Sequence, residues 1–319
     1  MMNEMHRVRQ IALAFTAAWA LVACGGGGNS NAGTSDGGAQ STGFSGQDAS
    51  APTLTNNIAT DGLNWINYRR SQIGMPALTH SSMIDVAAQG HSDYQRINNV
   101  VTHEQTLGKP GYTGQRLQDR LVNAGYVFGR PNAIGEVISA TSNGSGFYMA
   151  EELITAIYHR FVIFEPVFQE IGSGAATRSD NYSYFTADFV TNNGYGTGVP
   201  ANTIVTWPFN GQTQVPVNFL SDYEEPDPVP NANEVGYPVS VHTNLTRQLT
   251  VQSFTIRAHG SSNDLSTRLL ASGQDANTPQ SAAAIVPLAK LAAATTYDVT
   301  FTGAVDGTPI TRSWSFTTK

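Results

Sequence analysis

The sequence predicts an α+β sandwich followed by an all-β sandwich. Three observations predict it. Apolar residues recur at helical spacing in four segments between residues 63 and 160. Strand-like alternation appears among and after them, up to residue 190. Beyond residue 199 only short alternating pieces remain, set off by Gly, Asn and Pro turns.

The first helix is read over residues 63–73, where Gly74 and Pro76 stop it. The second follows Ser81 and Ser82, both good N-cap residues, and places Met83, Val86, Ala87, Gly90, His91, Tyr94 and Ile97 on one stripe. A third covers residues 114–124 with Leu117 and Leu121 inward, and Gly125 closes it. A fourth covers residues 150–160 with Leu153, Ala156 and Ile157 inward. Strands are read at 134–140, 167–175 and 182–190. The all-β part rests on 203–208, 249–258, 296–303 and 310–317, with an acidic, proline-rich loop at 222–228.

Ahead of these elements, Arg7 and Arg9 precede an apolar run of 13 residues, 11–23, broken only by Thr16. A basic start before an apolar run is the pattern of a secretory leader, and the run is too short for a bilayer, which takes about 20 residues. Leu21-Val22-Ala23-Cys24 resembles a bacterial lipobox. That resemblance implies cleavage after residue 23 and a membrane anchor on lipidated Cys24, and Gly25 in place of aspartate favours the outer membrane. Residues 24–53 are rich in Gly, Ser and Asn, bury too little surface to offset their ordering entropy, and are expected to form a flexible tether. The α+β domain is then expected at 54–198 and the β domain at 199–319.

Composition excludes several functions. Cys24 is the only cysteine, so neither a disulfide framework nor a second thiol nucleophile exists. Only 13% of residues are charged, the net charge is −7 and no Lys/Arg cluster occurs, which argues against a nucleic-acid partner. No Gly-x-Ser-x-Gly elbow is present, His103-Glu104-Gln105-Thr106-Leu107 lacks the second histidine of a zincin helix, and Gly25-Gly26-Gly27-Gly28 follows no strand and leads to no Gly-Lys-Ser/Thr.

The remaining chemistry rests on His103, Glu136 and His159. They fall after a helix, on a strand and at the end of a helix, positions from which side chains can converge on one cleft. Two neutral imidazoles and a carboxylate suit a divalent cation such as zinc, at about 2.0–2.2 Å per ligand. The same groups can form an acid–base pair. His91 reads as a packing residue with a polar tip, and His80, His242 and His259 as surface residues.

Residues 63–190 resemble a CAP domain, the fold of cysteine-rich secretory proteins, antigen 5 and plant pathogenesis-related 1 proteins, in its cysteine-free bacterial form. The resemblance is carried by Leu63-Asn64, Asn67-Tyr68-Arg69, Gly74-Met75-Pro76-Ala77-Leu78, Val101-Thr102-His103, Asp119-Arg120-Leu121, Gly135-Glu136, Tyr158-His159-Arg160, Phe168-Gln169-Glu170-Ile171-Gly172 and Tyr184-Phe185-Thr186-Ala187-Asp188-Phe189. It implies an α-β-α sandwich and a cavity of two histidines and two glutamates. His103, Glu136 and His159 match three of the four; Val137 replaces the usual asparagine, and neither Glu151 nor Glu152 is in phase for the second glutamate. The C-terminal part resembles bacterial Ig-like domains through Asn210-Gly-Gln-Thr-Gln-Val-Pro-Val, Thr295-Thr-Tyr-Asp-Val-Thr-Phe and Arg312-Ser-Trp-Ser-Phe. The leading expectation is a binding protein for a small lipid, a glycan or a protein partner. A hydrolase of envelope polymers, metal-assisted or acid–base, and a structural spacer or adhesin are the alternatives.

Overall fold

Strand alternation and a few glycines decide how the first half is layered. The computed structural model describes residues 21–22 and 44–319, so Cys24 and most of the expected leader and tether lie outside the described residues. A five-stranded sheet holds β1 (Leu21–Val22), β2 (Thr79–His80), β3 (Ala133–Thr141), β4 (Glu170–Thr177) and β5 (Ser183–Thr191) in the order β1-β3-β5-β4-β2. β3, β5 and β4 are antiparallel neighbours, with Glu136 opposite Asp188 and Asp188 opposite Gly172. These three residues therefore share one face, and Gly135, Phe189 and Ile171 share the other.

Helices cover both faces. α1 (Ile58–Gln72), α4 (Gly146–Thr155) and α5 (Ile157–Ile163) lie on the Gly135 side; a Cβ on Gly135 would come within 2.7 Å of Val162 in α5. α2 (Ser82–Asn98) and α3 (Leu117–Asn123) lie on the Glu136 side. The α-β-α sandwich implied by the sequence is thus the arrangement of the first half.

Two helices differ from their sequence reading. The buried face of α2 includes Ile84, Ala87, Ala88, His91, Ser92 and Tyr94, whereas Met83, Val86 and Ile97 are exposed. The helix is rotated because it approaches the sheet through glycines: a Cβ on Gly174 would sit 2.2 Å from the Gln89 nitrogen, and only small residues such as Ala88 and Ser92 tolerate that spacing. The fourth predicted helix is two helices, α4 and α5, parted at Ala156, whose ψ of 120° is extended rather than helical.

The second half has two four-stranded sheets. One has the order β12-β13-β10-β6, from β6 (Val205–Trp207), β10 (Val239–His242), β12 (Thr267–Ala271) and β13 (Ala282–Pro287). The other has the order β11-β14-β15-β7, from β7 (Gln212–Val215), β11 (Leu249–Ala258), β14 (Thr296–Val305) and β15 (Thr308–Thr318). β11 lies against β12 and β13, so the sheets pack on one another, and β8 (Asn218–Leu220) and β9 (Glu234–Gly236) form a separate hairpin.

The two halves share one apolar core. Phe164 of the first packs on Trp207 of the second at 5.2 Å, and the Arg69 guanidinium lies over both Trp65 and Trp207. The tether expected to reach residue 53 ends sooner. Phe44 sits 5.0 Å from Trp65, Ser45 donates to the Thr213 carbonyl, and Gln72 donates to the Gly46 carbonyl, so this stretch is wedged between the halves. Among the described residues no helix is long and apolar enough to cross a membrane.

Candidate functional site

Pairing across the sheet puts Glu136 beneath α2 and α3. There the His103 Nδ1–H donates to its Oε1 at 2.7 Å, and the Arg120 guanidinium from α3 donates to its Oε2. Arg120 also donates to the main-chain carbonyl of His103 at 2.8 Å, so one guanidinium fixes both members of the pair. His91 stands beside them, donating from Nε2 to the Thr102 carbonyl and accepting at Nδ1 from Gln105. The sequence treats His91 as packing; it is fully buried and belongs to this polar cluster.

Burial alone would raise the Glu136 pKa, but the Arg120 charge and the His103 hydrogen bond outweigh it and hold the carboxyl well below the usual range. Burial lowers the His91 pKa to about 4, so this ring stays neutral. Asp188, opposite Glu136, is pushed in the other direction, by burial first and by the Glu136 charge second. Among the described residues neither Asp188 oxygen has a hydrogen-bond partner, so this buried carboxyl stands against Glu136 without a donor of its own. The result is a buried carboxylate–imidazole pair, Glu136 and His103, clamped by Arg120, with the unpartnered Asp188 carboxyl across the sheet from it.

His159 belongs to a different arrangement. It is carried by α5, in the opposite layer from Glu136, and its Nδ1–H donates at 3.0 Å to Glu224 of the second half. The same carboxylate accepts from the main-chain N–H groups of Ile157 and Tyr158 at 2.7 Å and of His159 at 3.2 Å. These are donors that the start of a helix leaves without internal partners. Glu224 thus explains the break at Ala156, because it rewards a fresh helix start there. Arg160 continues the seam, donating to the Pro238 carbonyl and to Ser240.

His103 and Glu136 are therefore brought together, and His159 is paired elsewhere. These donors do not fit a divalent cation. Among the described residues no three His, Cys, Asp or Glu side chains are arranged to share one, and both Glu136 oxygens are taken by His103 and a guanidinium whose charge would repel it. Of the histidines read as surface residues, His80 and His259 are exposed beside Asp85 and Asp298. His242 is buried at the seam between Phe161 and Phe164, where burial and then Arg160 lower its pKa to about 3.

Residues 63–189 match the sequence profile of the cysteine-rich secretory protein family, the CAP family. This part of the chain is a CAP domain. Solved structures similar to it include an extracellular protein with an SCP domain from Bacillus anthracis strain Ames, at 24% identity and a TM-score of 0.36, covering 43% of this chain and 41% of that one. An outer surface protein of Borrelia burgdorferi aligns at 14% identity and a TM-score of 0.35, covering 41% of this chain and 90% of its own. A cysteine-rich secretory protein of Staphylococcus aureus subsp. aureus Mu50 aligns at 13% identity and a TM-score of 0.31, covering 42% of this chain and 38% of its own. The chain therefore spans about two fifths of the Bacillus and Staphylococcus proteins. No curated protein matches the sequence.

Arg120, Asp188 and Glu224 are the residues of these networks whose roles the sequence leaves unread. Arg120 carries a signal, since an arginine in phase with the inward Leu117 and Leu121 of a short helix must find a partner inside the CAP domain. Glu224 carries none; it is one acid among several in a loop 65 residues from His159.

Proposed function

We propose that this chain is a surface-anchored binding protein, held by lipid on Cys24, whose CAP domain recognises a small lipid, glycan or protein ligand at the His103–Glu136 pair. The observation that carries the reading is the buried Glu136–His103–Arg120 network, with the unpartnered Asp188 carboxyl beside it. Desolvating so many polar groups costs several kcal/mol per ion, and apolar residues of similar volume would hold the same layers together at no such cost. The second half supports the reading as an Ig-like module that presents the CAP domain. Cleavage before Cys24 would remove β1 and leave β3 as the sheet edge.

The test uses the mature full-length protein on a glycan array and in flotation with lipid vesicles, beside His103→Asn. The wild type is expected to retain one ligand class and the variant to lose it at least tenfold, while both unfold at similar denaturant concentrations. Absence of any retained class, or equal retention by both proteins, refutes the proposal.

A further inference from the structure

The seam between the two halves contains a cleft remote in character from the polar network. Its walls are aromatic: Tyr158 and Phe161 of α5, and Phe168 from the strand approach after it. Asn277 and Pro279, from the turn between β12 and β13, close the opposite side, so neither half forms the cleft alone. The space between these walls, together with the open solvent at its mouth, is about 360 Å³, and the closed interior is only a small part of it. The one charged side chain in its lining is Glu165.

That carboxylate is held but not neutralised. Oε1 accepts from the main-chain N–H groups of Leu245 at 2.9 Å and Val167 at 3.2 Å, whereas Oε2 has only a long contact of 3.4 Å from the Ser281 hydroxyl. Arg70, the nearby cation, spends its guanidinium on the main-chain carbonyls of Pro76, Ile163 and Glu165 and makes no ion pair with the Glu165 carboxylate. A buried acid with an under-used oxygen, facing ring surfaces that carry negative potential, is the chemistry that attracts a soft, weakly hydrated cation. The narrow cleft limits the cation to a small head group.

We propose that the cleft between α5 and the 277–279 turn is a binding site for an alkylammonium group, with Glu165 as its counter-ion and Tyr158, Phe161 and Phe168 as its walls. Such a group can come from a free quaternary amine or from a choline lipid headgroup.

The test is calorimetric titration of the mature full-length protein at pH 8 with choline and with phosphatidylcholine vesicles. The neutral isostere of choline, 3,3-dimethyl-1-butanol, is the control. At least one cation is expected to bind, about tenfold more tightly than the isostere, and which one binds names the source. Glu165→Gln, which keeps an acceptor for both N–H groups, is expected to weaken that cation about tenfold and to leave the isostere unchanged. Pro279→Trp, which narrows the mouth from the second half, is expected to exclude both and covers the case in which Glu165→Gln fails to fold. Equal binding of cation and isostere, no binding of any cation, or undiminished cation binding by Glu165→Gln overturns the proposal.

Discussion

Replacing Glu224 by alanine tests the seam most directly. The side chain is fully buried and accepts four hydrogen bonds, from three main-chain N–H groups and the His159 ring. Truncation leaves all four donors buried. Leaving a buried donor unsatisfied costs about 1–3 kcal/mol, so losing this acceptor is expected to cost at least about 3 kcal/mol. Against a typical total of about 5–15 kcal/mol, that is a large part of the stability of a protein whose halves share one core. Glu224→Gln keeps one acceptor oxygen but turns an amide N–H toward a donor, so about 1–2 kcal/mol is expected. Denaturant unfolding followed by the fluorescence of Trp65 and Trp207, which stand at the seam, measures the loss. Hydrogen exchange adds a local readout. The amides of Ile157, Tyr158 and His159 should lose protection in Glu224→Ala before β3 and β5 do, and the His103 ring resonances should stay in place. A loss below about 1 kcal/mol, or unchanged protection at those three amides, would refute the reasoning.

Two further outcomes can be measured independently. Burial raises the Glu165 pKa from 4.5 to about 7, so its contribution to stability is fully present below the unfolded-state value and is lost as pH rises through about 7. Glu165→Gln removes that dependence, and its stability relative to wild type should rise by about 3 kcal/mol between pH 4.5 and pH 8; a flat difference across that range contradicts the assignment. For the anchor, mass spectrometry of membrane-extracted protein should find an acylated N-terminal peptide starting at Cys24, and Cys24→Ser should release the protein to the soluble fraction; an unmodified Cys24 peptide rules it out.

What could be read in the sequence divides along a physical line. The CAP domain was legible because its elements carry local signals: periodic helices, glycine stops, and the alternation of β3 and β5 that sends Glu136 and Asp188 to one face. In the second half, β11, β14 and β15 alternate and were found. β10 and β13 are buried along their whole length and read as Val-Ser-Val-His and Ala-Ala-Ala-Ile-Val-Pro, with no alternation to betray them. His242 was misread with β10 for the same reason. The helix break at Ala156 was hidden more deeply, since its cause is a carboxylate from another part of the chain. His159 likewise sits within a motif that names it but not its partner.

The seam also explains why so many polar groups were worth burying there. Arg69 pairs with Glu151 at 2.8 Å beneath Trp207, Arg160 reaches Pro238 and Ser240, Glu224 holds α5, and Glu165 receives the Leu245 N–H. An apolar seam alone would tolerate sliding, because hydrophobic contact is non-directional. Each of these polar groups except the Arg69–Glu151 pair is satisfied only when the halves meet in one register, and a slipped docking would leave several buried charges unpaired at a cost of a few kcal/mol each. The halves are therefore held in one orientation, and the position of α5, with His159 and the wall of the Glu165 cleft, is set by residues beyond the CAP domain. A variant such as Glu224→Ala should accordingly disturb the cleft at Glu165 while leaving the His103–Glu136 pair intact, which makes the two sites separable by a single substitution.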